Sequence, residues 1–161
     1  MKKAVCLLCV ATFALTWAAA AGAASISEAV VQHWLRGLEI PGFKRTGVYN
    51  EFHPDDGNLA ATFTAKNKLL FVSVVDLSRK SEYGFKRNAR EMVAHGAKTF
   101  LKEYTIQDRK WYGDATTYPI IAADLSPNIK LVLMGYQGVS LDELPGLAEG
   151  LPMESLVQAA H

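Results

Sequence analysis

Cysteine is almost missing from this chain of 161 residues: its two copies, Cys6 and Cys9, both lie within the first ten positions. From residue 25 onward there is none, which excludes disulfides, thiolate nucleophiles and cysteine-ligated metals from that region. Familiar catalytic motifs are also missing, including Gly-x-Ser-x-Gly, the Walker loop, Gly-x-Gly-x-x-Gly and His-Glu-x-x-His. The sequence therefore assigns no catalytic residue and predicts no cofactor, and an enzyme is the less favoured interpretation.

The chain has no excess of one charge either, since 17 Lys and Arg residues face 16 Asp and Glu residues. A balance of this kind gives no indication of nucleic-acid binding, and we expect no nucleic-acid partner. The longest apolar run covers residues 4–17, which is shorter than the ~20 residues that a membrane-spanning helix needs.

That apolar run is nevertheless informative because of what surrounds it. Lys2 and Lys3 precede it, and only small residues fill positions 18–24. This is the three-part layout of a secretory signal peptide. We expect cleavage near Ala24, which leaves residues 25–161 as one soluble domain without a transmembrane segment, in the periplasm or secreted. Lipid attachment at Cys9 is less favoured, because Leu8 rather than a small residue precedes it.

Beyond residue 24 the hydrophobic periodicity predicts an α-βββ-α-βββ-α order. The predicted helices are 26–38, 85–104 and a short or broken region within 140–159. The predicted strands are 45–53, 59–66, 69–77, 105–112, 116–125 and 129–136. Capping boxes, Ser25 with Glu28 and Ser140 with Glu143, are expected to begin the first and last helical regions.

Short connections between strands favour antiparallel neighbours. We therefore predict a single α+β domain, with a mostly antiparallel sheet of about six strands packed on one long helix and shorter terminal helices. The element order is similar to that of several small envelope and chaperone-like α+β folds, including the Mog1/PsbP type. A fold of this kind does not determine a function.

Two predicted strands, residues 69–75 and 129–134, carry apolar residues on both of their alternating faces rather than on one. A sheet with one solvated face alternates apolar and polar residues, so both faces of these strands should be covered. The predicted helix 85–104 can cover one face. Terminal helices, a second subunit or a ligand cavity are the candidates for the other.

The predicted helix 85–104 carries a basic arc opposite its apolar one, formed by Arg87, Arg90, Lys98 and Lys102. These cations are candidates for contact with an anionic envelope component or an acidic protein. The alternative is an ordinary solvated helix face, because Arg87 and Glu91 lie at the i,i+4 spacing of an ion pair.

Aromatic residues give a second candidate surface at Trp111, Tyr112 and Tyr118. Adjacent strand residues point to opposite faces, so Trp111 and Tyr112 cannot both enter one core. The exposed member of the pair, together with Tyr118, is a candidate partner contact. Ordinary core and rim packing is the alternative.

The densest group of potential metal ligands is the segment containing His53, Asp55 and Asp56. One imidazole and two carboxylates could hold a divalent ion. The same residues also suit a hairpin turn, since Asp, Gly and Asn favour turns, and this interpretation is preferred.

These observations favour a non-catalytic envelope protein that binds a partner or assists an assembly. The expected partner is an envelope protein or an anionic envelope component, and a homodimer is possible. A first alternative is a carrier of a small apolar ligand between sheet and helices, near Phe71, Val74, Met92 and Leu131. A second is a small hydrolase that uses His53 or His95.

Overall fold

The computed structural model describes residues 26–49, 58–78, 102–115 and 118–161, with the side chains of Tyr49 and Asn58 excepted. The described strands are β1 Lys44–Tyr49, β2 Asn58–Ala65, β3 Lys68–Asp76, β4 Lys102–Ile106, β5 Arg109–Asp114, β6 Ile120–Asp124 and β7 Ile129–Gln137. The described helices are α1 Glu28–Gly37, α2 Leu144–Glu149 and α3 Met153–Ala159. None of these helices has the length and apolar character that crossing a membrane requires.

The strands form one antiparallel sheet in the order β1-β2-β3-β7-β6-β5-β4. It consists of two meanders, β1-β2-β3 and β4-β5-β6-β7, joined along the central β3–β7 pair. We call the end where β3 begins and β7 finishes the upper end of the sheet, and the opposite end the lower end. The predicted α+β class and antiparallel sheet are confirmed, with seven strands rather than about six.

The first face of the sheet holds the main core, to which all three described helices contribute. Alternate residues of β3 and β7 point into it, among them Leu70, Val72, Leu131 and Leu133, each less than 2% exposed. Helix α1 lies over β1 and β2, whereas α2 lies against β4, β6 and β7. Burial of this much aliphatic surface is the main stabilising contribution to the fold.

Side chains from other elements tie the helices to one another and to the sheet. Arg45 of β1 donates from Nη1 to the carbonyls of Leu35 and Leu38 at 3.3 and 3.1 Å, at the C-terminal end of α1. A cation there complements the helix dipole. Trp34 of α1 donates from Nε1 to the carbonyl of Pro152 at 2.8 Å, just before α3.

Gln107 makes a comparable contact from the turn between β4 and β5. Its Nε2 donates to the carbonyls of Ala148, Glu149 and Leu151 at 3.3, 2.9 and 2.9 Å. Two of these carbonyls belong to the last residues of α2, and that of Ala148 also accepts from the backbone N–H of Leu151 at 3.1 Å. One amide on a hairpin turn therefore fixes the end of α2 above the sheet.

The second face has a separate, smaller apolar cluster: Val75, Ile120, Ala122 and Val132, with Leu77 and Met134 packed against it. No residue of the three described helices belongs to this cluster. The prediction that the strands at 69–75 and 129–134 are buried on both faces holds in part: on the second face Val75 and Val132 are 5% and 7% exposed, whereas Phe71, Ser73 and Met134 are half-buried.

The main correction concerns residues 102–114. A helix over 85–104 and a strand over 105–112 were predicted. Residues 85–101 lie outside the described residues, and from Lys102 onward the structure has the β4–β5 hairpin. Its two-residue turn consists of Gln107 and Asp108, both at positive φ, 50° and 57°. Such turns usually carry Asn-Gly or Asp-Gly, so Gln-Asp gave no turn signal.

The helix ends show smaller differences. Helix α1 begins at Glu28 after Ser27, two residues later than predicted, and Ser25 lies outside the described residues. Leu35 is fully buried in this helix, whereas Val30 is 41% exposed.

The second capping box is present in part. The carboxylate of Glu143 accepts from the backbone N–H of Ser140 at 2.9 Å, although helix α2 begins only at Leu144. The predicted broken helical region is confirmed, with an interruption at residues 150–152 between α2 and α3.

Candidate functional site

Three aromatic residues meet at the upper end of the second face, and we call this group the aromatic corner: Phe71, Tyr118 and Tyr136. The rings of Tyr118 and Tyr136 are stacked, with centroids 5.1 Å apart and planes 30° apart. Phe71 meets Tyr136 edge-on, at 6.1 Å and 88°. Both geometries are favourable for aromatic pairs.

Strand alternation places these rings. Tyr136 follows Val132 and Met134 on the second face of β7, and Phe71 lies on the same face of the neighbouring β3. Tyr118 comes just before β6, the other neighbour of β7. The corner therefore spans the upper ends of three adjacent strands.

The backbone beneath the corner is closely held. The N–H of Gly135 donates to the carbonyl of Pro119 at 2.8 Å, which fixes the residue after Tyr118 beside β7. Gly138 has φ +64°, and a Cβ there would lie 2.4 Å from the carbonyl oxygen of Asn67. Only glycine fits this position, so the end of β7 is packed directly on the β2–β3 turn.

Exposure distinguishes the corner from the rest of the sheet. Tyr136 is 52% exposed and Tyr118 is 37% exposed. Among the described residues, only Val30 joins them as an exposed large hydrophobic side chain, and it stands alone on α1. Adjacent exposed aromatic rings have the composition of a binding surface, whereas a single exposed valine is ordinary.

No charged side chain belongs to the corner among the residues that the structure describes. The second-face positions beside its rings are Leu69, Ile120 and Met134. Ion pairs on this face lie elsewhere: Asp124 pairs with Lys130 near the lower end, and Glu103 pairs with Lys110 across β4 and β5. The hydrogen bond and charge of Glu103 raise the pKa of Lys110 above its ordinary value.

The predicted aromatic candidates separate between the two faces. Trp111 is fully buried in the first-face core, and its Nε1–H has no acceptor among the described residues. Tyr112 is half-buried on the second face, where it pairs with Ala122 of β6. Tyr118 is the predicted aromatic residue that reaches the surface.

The predicted basic candidates are not brought together. Arg87, Arg90 and Lys98 lie outside the described residues. Lys102 belongs to β4 rather than to a helix, and its Nζ lies 2.7 Å from Oδ1 of Asp142. This hydrogen-bonded carboxylate raises the pKa of Lys102 and offsets its charge.

The predicted metal ligands His53, Asp55 and Asp56 also lie outside the described residues. In the part of the chain that the structure describes, no three His, Cys, Asp or Glu side chains lie close enough together to hold a metal ion.

Sequence reasoning missed Tyr136 as a site residue. Tyr136 is separated from Met134 and Val132 by two and four residues, so strand alternation places its side chain on the second face with theirs. No local pattern in the sequence indicates that the burial of this face stops before residue 136. The stacking on Tyr118 joins residues of different strands, so it appears only once β6 and β7 are paired. No family model, curated protein or solved structure matches this chain.

Proposed function

We propose that this chain is an exported, non-catalytic binding protein whose contact surface is the aromatic corner. One observation carries the proposal: two stacked tyrosines are exposed on a sheet face that is buried only a few residues away. Tyrosine is enriched at protein interfaces because it combines a rigid apolar ring with a hydroxyl group.

The partner that suits this surface is an uncharged polypeptide segment of another envelope protein. A charged partner would lose solvation at the corner and meet no opposite charge among its three described residues. Aromatic rings and the Met134 thioether offer broad apolar contact, and the two tyrosine hydroxyls offer hydrogen bonds to a peptide backbone.

Export rests on the layout of residues 1–24 and puts the partner in the same compartment. Fractionation of the native host followed by N-terminal sequencing tests it: we expect an N-terminus at or next to Ser25 in the periplasmic or secreted fraction. An intact Met1 in the cytoplasm would contradict export.

Site-specific photocrosslinking in intact cells tests the contact surface. A photoreactive phenylalanine analogue replaces Tyr136 in one variant and Tyr118 in another, with the exposed Val30 as the matched control position. We expect positions 136 and 118 to capture the same protein and position 30 to capture none. Absence of adducts at the corner, or equal adducts at position 30, would contradict the proposal.

Affinity measurements with the purified partner complete the test. The Tyr136→Ala substitution should weaken binding by about 2 kcal/mol, which is roughly thirtyfold. Adducts at twice the mass of the chain would instead identify a second copy as the occupant. Native mass spectrometry that shows a retained small ligand would favour the carrier alternative.

A further inference from the structure

The stacked pair of the aromatic corner consists of two phenols, and both reach solvent. The ring centroids of Tyr118 and Tyr136 are 5.1 Å apart, and the ring planes are 30° apart. Tyr136 is 52% exposed and Tyr118 is 37% exposed. Phenols are among the side chains that one-electron oxidants attack, and an exposed ring is accessible to such an oxidant. Two oxidisable rings therefore lie in contact at the surface.

The contact between the two rings is held in place by their surroundings. The Gly135 N–H donates to the Pro119 carbonyl at 2.8 Å, which joins the residue before Tyr136 to the residue after Tyr118. Phe71 meets the ring of Tyr136 edge-on at 6.1 Å, and it has no phenol that would react in its place. A reaction between the two tyrosine rings then needs little rearrangement, because the reacting groups are already side by side.

Joining two tyrosines requires an oxidant that accepts two electrons in total, and hydrogen peroxide with a haem peroxidase belongs to that class. Each phenol gives up one electron and its hydroxyl proton, which leaves a phenoxyl radical with spin density on the ring carbons ortho to the oxygen. The two radicals form a bond between ortho carbons, and the hydrogen on each of these carbons moves as a proton to the oxygen of its ring. One peroxide becomes two water molecules, so the chain loses two hydrogens and gains one C–C bond.

The geometry of the pair suits this bond. An ortho–ortho bond joins two rings edge to edge with a modest twist, and planes 30° apart are closer to that arrangement than perpendicular planes are. A well-oriented pair within one chain also has an effective concentration far above that of dilute protein. We propose that the aromatic corner is an oxidative modification site, at which a peroxidase and hydrogen peroxide join Tyr118 to Tyr136 as dityrosine.

The other tyrosines whose side chains the structure describes are placed differently. Tyr104 packs against the first-face core, and its hydroxyl is buried. Tyr112 is half-buried on the second face, level with Ala122 of β6 and so lower on the sheet than Tyr118. Along the chain, however, Tyr112 is much nearer to Tyr118 than Tyr136 is. A preference for Tyr136 over Tyr112 would therefore reflect the fold and not proximity in the sequence.

Coupling would stiffen the corner without removing its hydroxyl groups. Both oxygens remain phenolic, but the two rings become one unit that ties the residue before β6 to the end of β7. Beyond residue 24 the chain has no cysteine and cannot form a disulfide, so dityrosine supplies a covalent tie that disulfide chemistry cannot. The inference needs no partner, so it does not depend on the one proposed for this surface.

Peroxidase treatment of the full chain tests the inference. Cys6→Ser and Cys9→Ser are introduced so that no thiol quenches a radical. The protein at micromolar concentration is treated with a haem peroxidase and limiting hydrogen peroxide, and the monomeric fraction is digested with trypsin. Tyr118 lies in the tryptic peptide 111–130 and Tyr136 in 131–161. Mass spectrometry should find these peptides joined at the two tyrosines, about tenfold more abundant than any other dityrosine pair.

Variants that remove only a hydroxyl group identify the rings that react. Tyr118→Phe and Tyr136→Phe keep the ring, so each should leave the chain folded and lower the yield of the cross-link about tenfold. Tyr112→Phe is the matched control and should leave the yield within about twofold of wild type. Circular dichroism confirms that each variant is folded, and added N-acetyltyrosine confirms that the oxidant is active.

Three outcomes would overturn the inference. The first is no cross-link between Tyr118 and Tyr136 in folded protein that the active oxidant has reached. The second is a yield that Tyr118→Phe leaves unchanged. The third is a product that joins mainly Tyr112 to Tyr118, or mainly two separate chains.

Discussion

The two faces of this sheet are built from the same strands but end in different environments. On the first face, alternate residues of β7 are uniformly buried, from Ile129 through Leu133. On the second face of the same strand, exposure rises from 7% at Val132 to 52% at Tyr136. Because the strand and its pairing are shared, the difference comes from what lies above each face.

The difference in burial follows from the elements that pack on each face of the sheet. The first face is closed by three helices whose ends are tied down by Arg45, Trp34 and Gln107. The second face has one small buried cluster, around Val132, and an exposed aromatic corner. The first face therefore supplies most of the stability, and the second carries the surface that we propose for recognition.

Substitutions at two adjacent residues of β7, one on each face, should give the largest difference in the loss of unfolding free energy. Leu133→Ala removes a fully buried first-face side chain and should cost about 3–5 kcal/mol of unfolding free energy. Met134→Ala, half-buried on the second face, should cost less than about 2 kcal/mol. Chemical denaturation of the two variants measures this, and equal losses would remove the distinction.

The next largest effect is expected at Gln107, which holds the end of α2 over the first face. Gln107→Glu keeps the shape but replaces two N–H donors with a carboxylate that faces three carbonyl oxygens. We expect a loss of about 1–3 kcal/mol. Asp108→Asn in the same turn is the control and should change stability little. If both variants unfold at the same denaturant concentration as the wild type, the Gln107 side-chain amide does not anchor α2.

The aromatic corner should be nearly dispensable for folding. Tyr136→Ser and Tyr118→Ser remove partly exposed rings and one stacking contact, so each should cost about 1 kcal/mol or less. Thermal unfolding monitors this alongside the binding measurement. A loss as large as that of Leu133→Ala would mean that these rings serve the core rather than a partner.

The smallest effect is expected at Glu143, whose pKa is lowered by the hydrogen bond from Lys68 and by the N–H of Ser140. A lowered pKa stabilises the fold above the unfolded-state value of this carboxyl, and that contribution is lost as pH falls through the folded-state value. Glu143→Gln should therefore cost less than about 0.5 kcal/mol near neutral pH, since the pair is exposed to solvent. The difference from wild type should vanish in acid. Urea unfolding at both pH values checks it, and a difference that grew in acid would contradict the assignment.

The hydrophobic pattern of the sequence, alternating in β2 and apolar on both faces in β3 and β7, located these strands to within about a residue or two. It also predicted that β3 and β7 are covered on both faces, because neither face carries a polar pattern. It failed at the β4–β5 hairpin, where Gln107 and Asp108 adopt positive φ without glycine or asparagine. The register of that hairpin is held by pairing along both strands and by the contact of Gln107 with α2, which are nonlocal.

The candidate site was predictable only in part. Tyr118 was singled out from the sequence, and the alternation of adjacent strand residues required Trp111 and Tyr112 to point to opposite faces. Which of that pair enters the core depends on where α2 and β6 pack, and the structure assigns Trp111. Tyr136 became a site residue only through its contacts with Tyr118 and Phe71.

The sequence by itself determined the alternation of strands, the break between α2 and α3 and the lack of cysteine chemistry beyond Cys9. These follow from local backbone preferences and residue chemistry. Tertiary structure alone decided the strand order, the face on which the helices lie and the exposure of Tyr136 beside a buried Val132. The burial of a side chain depends on which segments, distant in the sequence, pack against it. No local pattern of side chains determines where along a strand that packing ends.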